Sequence, residues 1–243
     1  APPLLSKDIY SYLAQSEITA RGLDPYAIGP AQALGLDNVL TRTVPTIWRD
    51  TPAPYGPLFL WIGRGISAIT GDNIVVGIYF HRACALIGVA LIVWALPRLA
   101  KRCGVASVSA LWLGAANPLL IFHLVSGVHN EALMLGLMLA GIEFALRAIE
   151  NTQPITGRNA GLLLAGNTLM ALSTTIKITS MLALAFVWMA LARRWGPNLK
   201  SLVTSAAYLG AVTAGVIVAV SLMMVAATPL ANFINAHPTI VML

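Results

Sequence analysis

The chain has 243 residues, 58% of them hydrophobic and 10% charged, with a mean hydropathy of +0.78. A soluble domain carries about 25% charged residues, and 15 basic plus 9 acidic groups cannot cover a soluble surface of this size. Repeat solenoids, disordered chains and disulfide-stapled scaffolds are excluded with it, and the net charge of +6 comes without the dense basic, aromatic-interleaved run that nucleic-acid binding needs.

Residues 1–57 hold eight of the 14 prolines and read as an ordered external loop. Within it the spacing predicts a helix over residues 7–21, with Ser6 as N-cap, Ile9, Leu13 and Ala20 along one side, and Gly22 just past the end. This helix is expected to lie on the membrane surface. Asp24-Pro25 makes a turn. Residues 56–70, with Leu58, Phe59, Trp61, Ile62, Ile66 and Ile69 against Arg64, read as a second interfacial helix.

About 20 apolar residues rising 1.5 Å each cross a hydrocarbon core of roughly 30 Å. Residues 74–97, 105–125 (with Pro118), 132–149 (with Glu143 and Arg147) and 201–227 meet that requirement. Residues 160–192 are apolar except for Lys177 and a polar cluster of Ser173, Thr174, Thr175, Thr179 and Ser180. As one helix they would reach about 50 Å, too long even when tilted, so two short spans turning at Lys177 are expected. The reading is an all-α polytopic membrane protein: an extracytoplasmic loop over residues 1–72, then a helical domain of about six spans over residues 73–243.

Basic residues orient it, because cytoplasmic loops collect Lys and Arg. Arg98, Lys101 and Arg102 follow the first span, Arg147 and Arg158 the third, and Arg193, Arg194 and Lys200 the fifth, which puts all three loops on one side. Residues 73–243 hold 10 basic and 3 acidic groups, against 5 and 6 in residues 1–72. The same parity puts Asp8, the loop over residues 126–131, the Lys177 turn and residues 228–243 on the outer face of the plasma membrane. An external segment of this length needs something upstream to carry it across, so the chain is expected to be a fragment lacking at least one N-terminal span, with more sequence after Leu243. Cys84 and Cys103 are separated by helix of nearly 30 Å, which excludes a disulfide between them.

Asp8 falls in the first turn of the first helix. There it serves either as a dipole-stabilising acid or as a general base at the membrane surface. The loop over residues 126–131 is either a plain turn or a binding loop in which His129, Asn130 and Glu131 supply donor, acceptor and charge while Gly127 admits close backbone approach. His129 and Glu131 with Asp8 also suggest a divalent-cation site. His81 and His123 read as packing residues. Lys177 is either a snorkelling lysine or a point charge for a phosphate, with Arg82 a similar, weaker candidate. Glu143 and Arg147 read as a structural i,i+4 pair.

Residues 6–13 (SKDIYSYL), 22–26 (GLDPY), 53–58 (APYGPL) and 127–131 (GVHNE), in this order, resemble the multi-spanning glycosyltransferases of the GT-C fold. The likeness is to the actinobacterial polyprenyl-phosphomannose-dependent α-1,6-mannosyltransferases of lipomannan and lipoarabinomannan synthesis, and it runs from Asp8 to about Lys200. The resemblance implies an extracytoplasmic active site that moves mannose from polyprenyl-phosphate-mannose to the 6-hydroxyl of a lipid-anchored mannan acceptor, with inversion. It implies Asp8 as base, Lys177 with Arg82 or Arg49 as phosphate cations, and His129, Asn130 and Glu131 orienting hydroxyls. Tyr26, Tyr55 and Trp48 would stack on sugar or pack the loop. Many GT-C proteins pair two acids in this loop, whereas Asp8 is flanked by Lys7 and Ile9; Asp50 is the candidate second acid, and metal use stays open. A lipid-linked-sugar transporter or flippase and a non-catalytic envelope subunit remain the alternatives; against transport, the candidate residues gather at one face and no internal repeat is seen.

Overall fold

Backbone in hydrocarbon must satisfy its own N–H and C=O groups, so long apolar runs become helices. The computed structural model describes the backbone of residues 6–236 and the side chains of residues 6–225, and all regular structure in that part is helical. In order the helices are α1 (Asp8–Ala20), α2 (Pro30–Leu34), α3 (Val39–Thr43), α4 (Pro57–Thr70), α5 (Ile74–Arg102), α6 (Ser107–Ala115), α7 (Glu131–Glu150), α8 (Gly157–Thr174), α9 (Ile178–Trp195, opening with a 3-10 turn) and α10 (Leu199–Ala236). A wide, π-type segment, Leu120–Ser126, lies between α6 and α7. Of the tail expected outside over residues 228–243, residues 237–243 lie outside the described residues.

Among the described residues four helices are long and apolar enough to cross a membrane: α5, α7, α9 and α10 as far as Val225. A fifth span results if α6 and Leu120–Ser126, bent by 57° where they meet, count as one. Pro118 in the break has no N–H to give. Asn117 stands in for lost backbone bonds, its Nδ2 donating to the Leu113 carbonyl at 3.2 Å and its Oδ1 accepting from the Leu119 N–H at 2.8 Å. The expected count of six is not reached, because α8 carries Arg158, Asn159, Asn167, Thr168, Ser173 and Thr174 and is too polar to qualify by itself.

The chain divides into two compact units. The first comprises Ala1–Ala85, Phe122–Asn130 and Val220–Leu243, the second Leu86–Ile121 and Glu131–Ala219.

In the second unit, helices meet through glycines. A Cβ at Gly88 would lie 2.2 Å from the Ala132 carbonyl oxygen, and one at Gly136 2.4 Å from the Gly88 oxygen, so α5 and α7 touch backbone to backbone. Gly141 and Gly166 make the same close contact between α7 and α8. Seven residues earlier on α7 and seven later on α8, Ser173 Oγ donates to the Met134 carbonyl at 2.8 Å, so the pair is antiparallel. α8 ends at Thr174, Lys177 is extended, and α9 starts at Ile178, which is the expected break. At the far end of α9, Arg194 Nη2 donates to the carbonyls of Asn151, Thr152 and Gln153 at 3.2 to 3.3 Å. That end also holds Glu143, 2% exposed, which takes two bonds from Arg102 (2.9 and 3.2 Å) and one from Arg147 (2.9 Å), while Glu150 pairs with Arg102. Three of the basic residues first read as orientation signals are thus also structural ties. Cys84 and Cys103 are both free thiols.

In the first unit α1 packs on α4. Gly63 brings the two together, since a Cβ there would lie 2.2 Å from Ser16 Oγ, and Ser67 Oγ donates to Glu17 Oε2 at 2.5 Å. α1 ends in a Schellman motif, with Gly22 at φ 74° and the Leu23 N–H donating to the Ile18 carbonyl at 3.1 Å. The capping serine is one residue off the expected place: Lys7 is the N-cap, and Ser6 Oγ accepts from the Asp8 N–H at 3.2 Å. Ile9, Tyr12, Leu13, Ser16, Ile18 and Thr19 are all buried, so within this unit α1 is enclosed on most sides instead of presenting one apolar stripe.

Candidate active site

Asp8 occupies the first turn of α1, and its neighbour arrives from the other end of the unit. The π-type segment keeps its wide pitch past Ser126, with the Gly127 N–H bonded to the Phe122 carbonyl (3.0 Å) and the His129 N–H to Leu124 (3.2 Å). Val128 then turns with φ 57°, a left-handed conformation that a β-branched residue rarely adopts, and its side chain is 2% exposed. The turn aims His129 at α1: its Nδ1 lies 3.5 Å from Asp8 Oδ2, and its ring stacks on His123 with centroids 4.0 Å apart. His129 is buried, while the Asp8 side chain keeps 47% of its surface open, so one carboxylate edge remains reachable.

One helical turn along α1, Tyr12 packs edge-on against Tyr55 and Phe59, both at 4.9 Å, and lies 6.0 Å from the ring of His81. Tyr55 is held by its backbone: Tyr26 Oη donates to the Tyr55 carbonyl at 3.0 Å, and the Ala53 N–H donates to Pro25 at 2.8 Å. Burial first, and the nearby Asp24 carboxylate second, push the Tyr26 phenol up to about 12, so it keeps its proton at neutral pH and remains the donor. The stretches 22–26 and 53–58 are thus clipped together beside the helix that carries Asp8. A largely apolar cavity of about 680 Å³ adjoins them, lined by Thr19, Leu23, Tyr26, Pro57 and Met224 among others.

Other sequence candidates fall elsewhere. Arg49 donates to the carbonyls of Val44 (3.0 Å) and Arg42 (2.9 Å), which commits its guanidinium to holding its own loop. Asp50 is exposed and, among the described residues, makes no side-chain hydrogen bond or ion pair; its backbone packs on Gly29. Trp48 is 47% exposed. Arg82 is half-buried and follows His81 on α5. Asn130 is 4% exposed, and neither of its side-chain polar atoms has a hydrogen-bond partner. In the second unit, Lys177 is ion-paired with Glu131, which opens α7 where an acid also complements the helix dipole. Among the described residues no three His, Cys, Asp or Glu side chains converge as a metal site.

Sequence reasoning missed three things. Tyr12 was one letter within a motif, yet it joins Asp8 to the aromatic cluster. His81 read as a satisfied packing residue, yet both its ring nitrogens are buried without partners. Arg102 read as an orientation charge, yet it is the main partner of a buried glutamate. An Asp8–Tyr12 spacing of one helical turn was the available signal for the first; single letters carry none for the other two.

Residues 1–193 match the family described as alpha-(1->6)-mannopyranosyltransferase, N-terminal domain. The chain is 59% identical over 231 residues to a probable alpha-(1->6)-mannopyranosyltransferase of Mycolicibacterium smegmatis, covering 89% of this chain and 41% of that protein. It is 56% identical to an alpha-(1->6)-mannopyranosyltransferase of Mycobacterium tuberculosis, covering 88% and 42%. Against alpha-(1->6)-mannopyranosyltransferase B of Corynebacterium glutamicum it is 46% identical, covering 79% and 32%. The chain therefore spans less than half the length of these relatives. No solved structure matches it.

Proposed function

The chain belongs to the alpha-(1->6)-mannopyranosyltransferase family, and from that premise we propose that it forms the base-bearing part of an inverting mannosyltransferase. The donor is polyprenyl-phosphate-mannose and the acceptor is the 6-hydroxyl of a lipid-anchored α-1,6-mannan, on the extracytoplasmic face. The observation that carries this reading is the Asp8 carboxylate, half open, with His129 at 3.5 Å on its other side.

In the proposed step Asp8 takes the proton of the acceptor O6–H as that oxygen attacks the anomeric carbon of β-mannosyl phosphate. The C1–O bond to phosphate breaks, its electron pair leaves with polyprenyl phosphate, and the new link is α. His129 fixes the carboxylate in place. Phosphate is already a good leaving group, so positioning and charge neutralisation dominate. Lys177 supplies a cation for the phosphate, which displaces Glu131 from it, and Arg82 is a second candidate. Asn130 and Tyr55 contact sugar; the apolar cavity beside Tyr26 suits prenyl units.

The topology proposed is six passes, α8 included. α8 runs antiparallel beside α7 for most of its length, and the Arg194 bonds return the end of α9 to the loop that follows α7. That arrangement keeps Arg102, Arg147 and Arg194 at one end of the second unit, as the charge rule for cytoplasmic loops requires.

The test is transfer of radiolabelled mannose from the polyprenyl donor to a synthetic α-1,6-dimannoside by membranes carrying the intact protein. Asp8→Asn should lower the rate by about 10² to 10⁴, the usual contribution of a general base. A variant that accumulates normally and transfers at the wild-type rate refutes Asp8 as base.

A further inference from the structure

His81 stands on α5 and is 3% exposed, and neither Nδ1 nor Nε2 has a hydrogen-bond partner. It is brought against α1 by Gly77, one turn earlier on the same face, where a Cβ would fall 2.5 Å from Leu13 Cδ2. Its ring packs 6.0 Å from Tyr12 and 5.7 Å from Phe59. Phenylalanine would fill that aromatic surround without stranding two polar atoms. An imidazole there is costly unless something completes its hydrogen bonds.

The unpartnered groups of this unit lie on α1, against it, or beside a residue that touches it. Asp8, Tyr12 and Gln15 follow one another at helical spacing along one stripe of α1. Among the described residues, the buried side-chain atoms without partners in the first unit belong to Gln15, His81 and Asn130. Gln15 is on the stripe, His81 packs on its Tyr12, and Asn130 follows His129, which faces Asp8.

A neutral imidazole offers one donor and one acceptor. A phosphate would ask for two donors and a metal ion for an acceptor alone, whereas hydroxyl groups take both roles. The rings around His81 are uncharged and present faces suited to the C–H side of a sugar. We propose that His81 binds hydroxyl groups of the acceptor sugar, as a specificity-determining residue of the site whose base is Asp8. The inference rests on that reading of Asp8. Acceptor entry moves Tyr12 and Phe59 aside and satisfies both nitrogens.

The experiment compares His81→Phe and His81→Gln with the wild type in membranes carrying the intact protein. It measures KM for the synthetic α-1,6-dimannoside and for the polyprenyl-phosphate-mannose donor separately, and melting temperature in detergent. For His81→Phe the melting temperature should be equal or higher and the acceptor KM should rise about tenfold or more, as loss of paired hydroxyl contacts requires, with the donor KM unchanged. His81→Gln, which keeps a donor and an acceptor, should recover part of the loss. An unchanged acceptor KM in His81→Phe, or donor and acceptor KM rising together, overturns the proposal. If His81→Phe fails to accumulate, His81→Gln decides: a raised acceptor KM with an unchanged donor KM supports the proposal, and wild-type values for both overturn it. Asp8→Asn run alongside separates the two ideas. Full activity in Asp8→Asn removes the base assignment; an inactive Asp8→Asn with a wild-type acceptor KM in His81→Phe removes only the present one.

Discussion

Replacing Gly127 with alanine adds one carbon to the turn that aims His129 at Asp8. A Cβ there would sit 2.5 Å from the His123 carbonyl oxygen and 2.7 Å from His129 Cδ2, where ordinary contact begins at 3.4 Å. The carbonyl is backbone and cannot swing aside. The turn itself must therefore shift, the imidazole must also move by about 0.7 Å to reach ordinary contact, and the stacked His123 ring limits the direction. The His129–Asp8 approach of 3.5 Å then opens to roughly 4 Å or more, beyond direct interaction. Forced overpacking of this kind costs about 1–3 kcal/mol of stability, and a misplacement near 1 Å in a reacting group lowers turnover by up to about 10². Gly127→Ala should thus transfer mannose about 10- to 100-fold more slowly, with substrate KM values less affected. The assay is single-turnover transfer in membranes, normalised to folded protein. In a His129→Ala background the same substitution should cost little further rate, because the ring it displaces is gone. Wild-type turnover in Gly127→Ala, within twofold, would mean that His129 does not position Asp8.

Two further outcomes test the second unit. Gly88→Ala places a Cβ 2.2 Å from the Ala132 oxygen and 2.3 Å from its carbonyl carbon; the two helices must separate, and the detergent-solubilised protein should lose about 1–3 kcal/mol of stability, read as a lower melting temperature. An unchanged melting temperature would refute the backbone-to-backbone contact. Glu131→Gln frees Lys177 of its carboxylate and should lower the donor KM several-fold, while Lys177→Ala should raise it; opposite signs are required, and equal effects in both variants would sink the phosphate role of Lys177.

Some of this was legible in the sequence because it depends on local chemistry. Gly22 ends α1 since the left-handed position that closes a Schellman motif needs a residue without Cβ. The break at Lys177 was readable from the polar cluster before it, whose hydroxyls cap the last carbonyls: Thr174 Oγ1 donates to Ala171 and Thr175 Oγ1 to Leu172, both at 2.7 Å. The resemblance to mannosyltransferases was readable from four short motifs, and contacts link all four: Asp8 with His129, Tyr12 with Tyr55, and Tyr26 with the Tyr55 carbonyl. The enclosure of α1 within its unit was not legible, because Ser16 and Thr19 look polar as letters but donate to their own helix, to Tyr12 at 2.6 Å and Gln15 at 2.8 Å, and so can be buried. Arg49 shows a similar limit: a guanidinium reads as a free charge until carbonyls five and seven residues away are seen to take it. His81 and Arg102 were out of reach, since their meaning lies in partners, or the lack of them, distant in the chain.

The polar character of α8 bears on how the protein is built into a bilayer. Asn167 on this helix is fully buried; its Nδ2 donates to the Leu209 carbonyl at 3.1 Å and its Oδ1 accepts from Thr213 at 3.3 Å. Both partners are on α10, which leaves the ribosome some forty residues later. Until then α8 has Met134 and the glycine seam of α7 for company, but nothing to satisfy that amide. In the proposed six-pass topology the Asn167 amide is therefore satisfied only once α10 is in place, which makes the docking of α8 a late step of assembly.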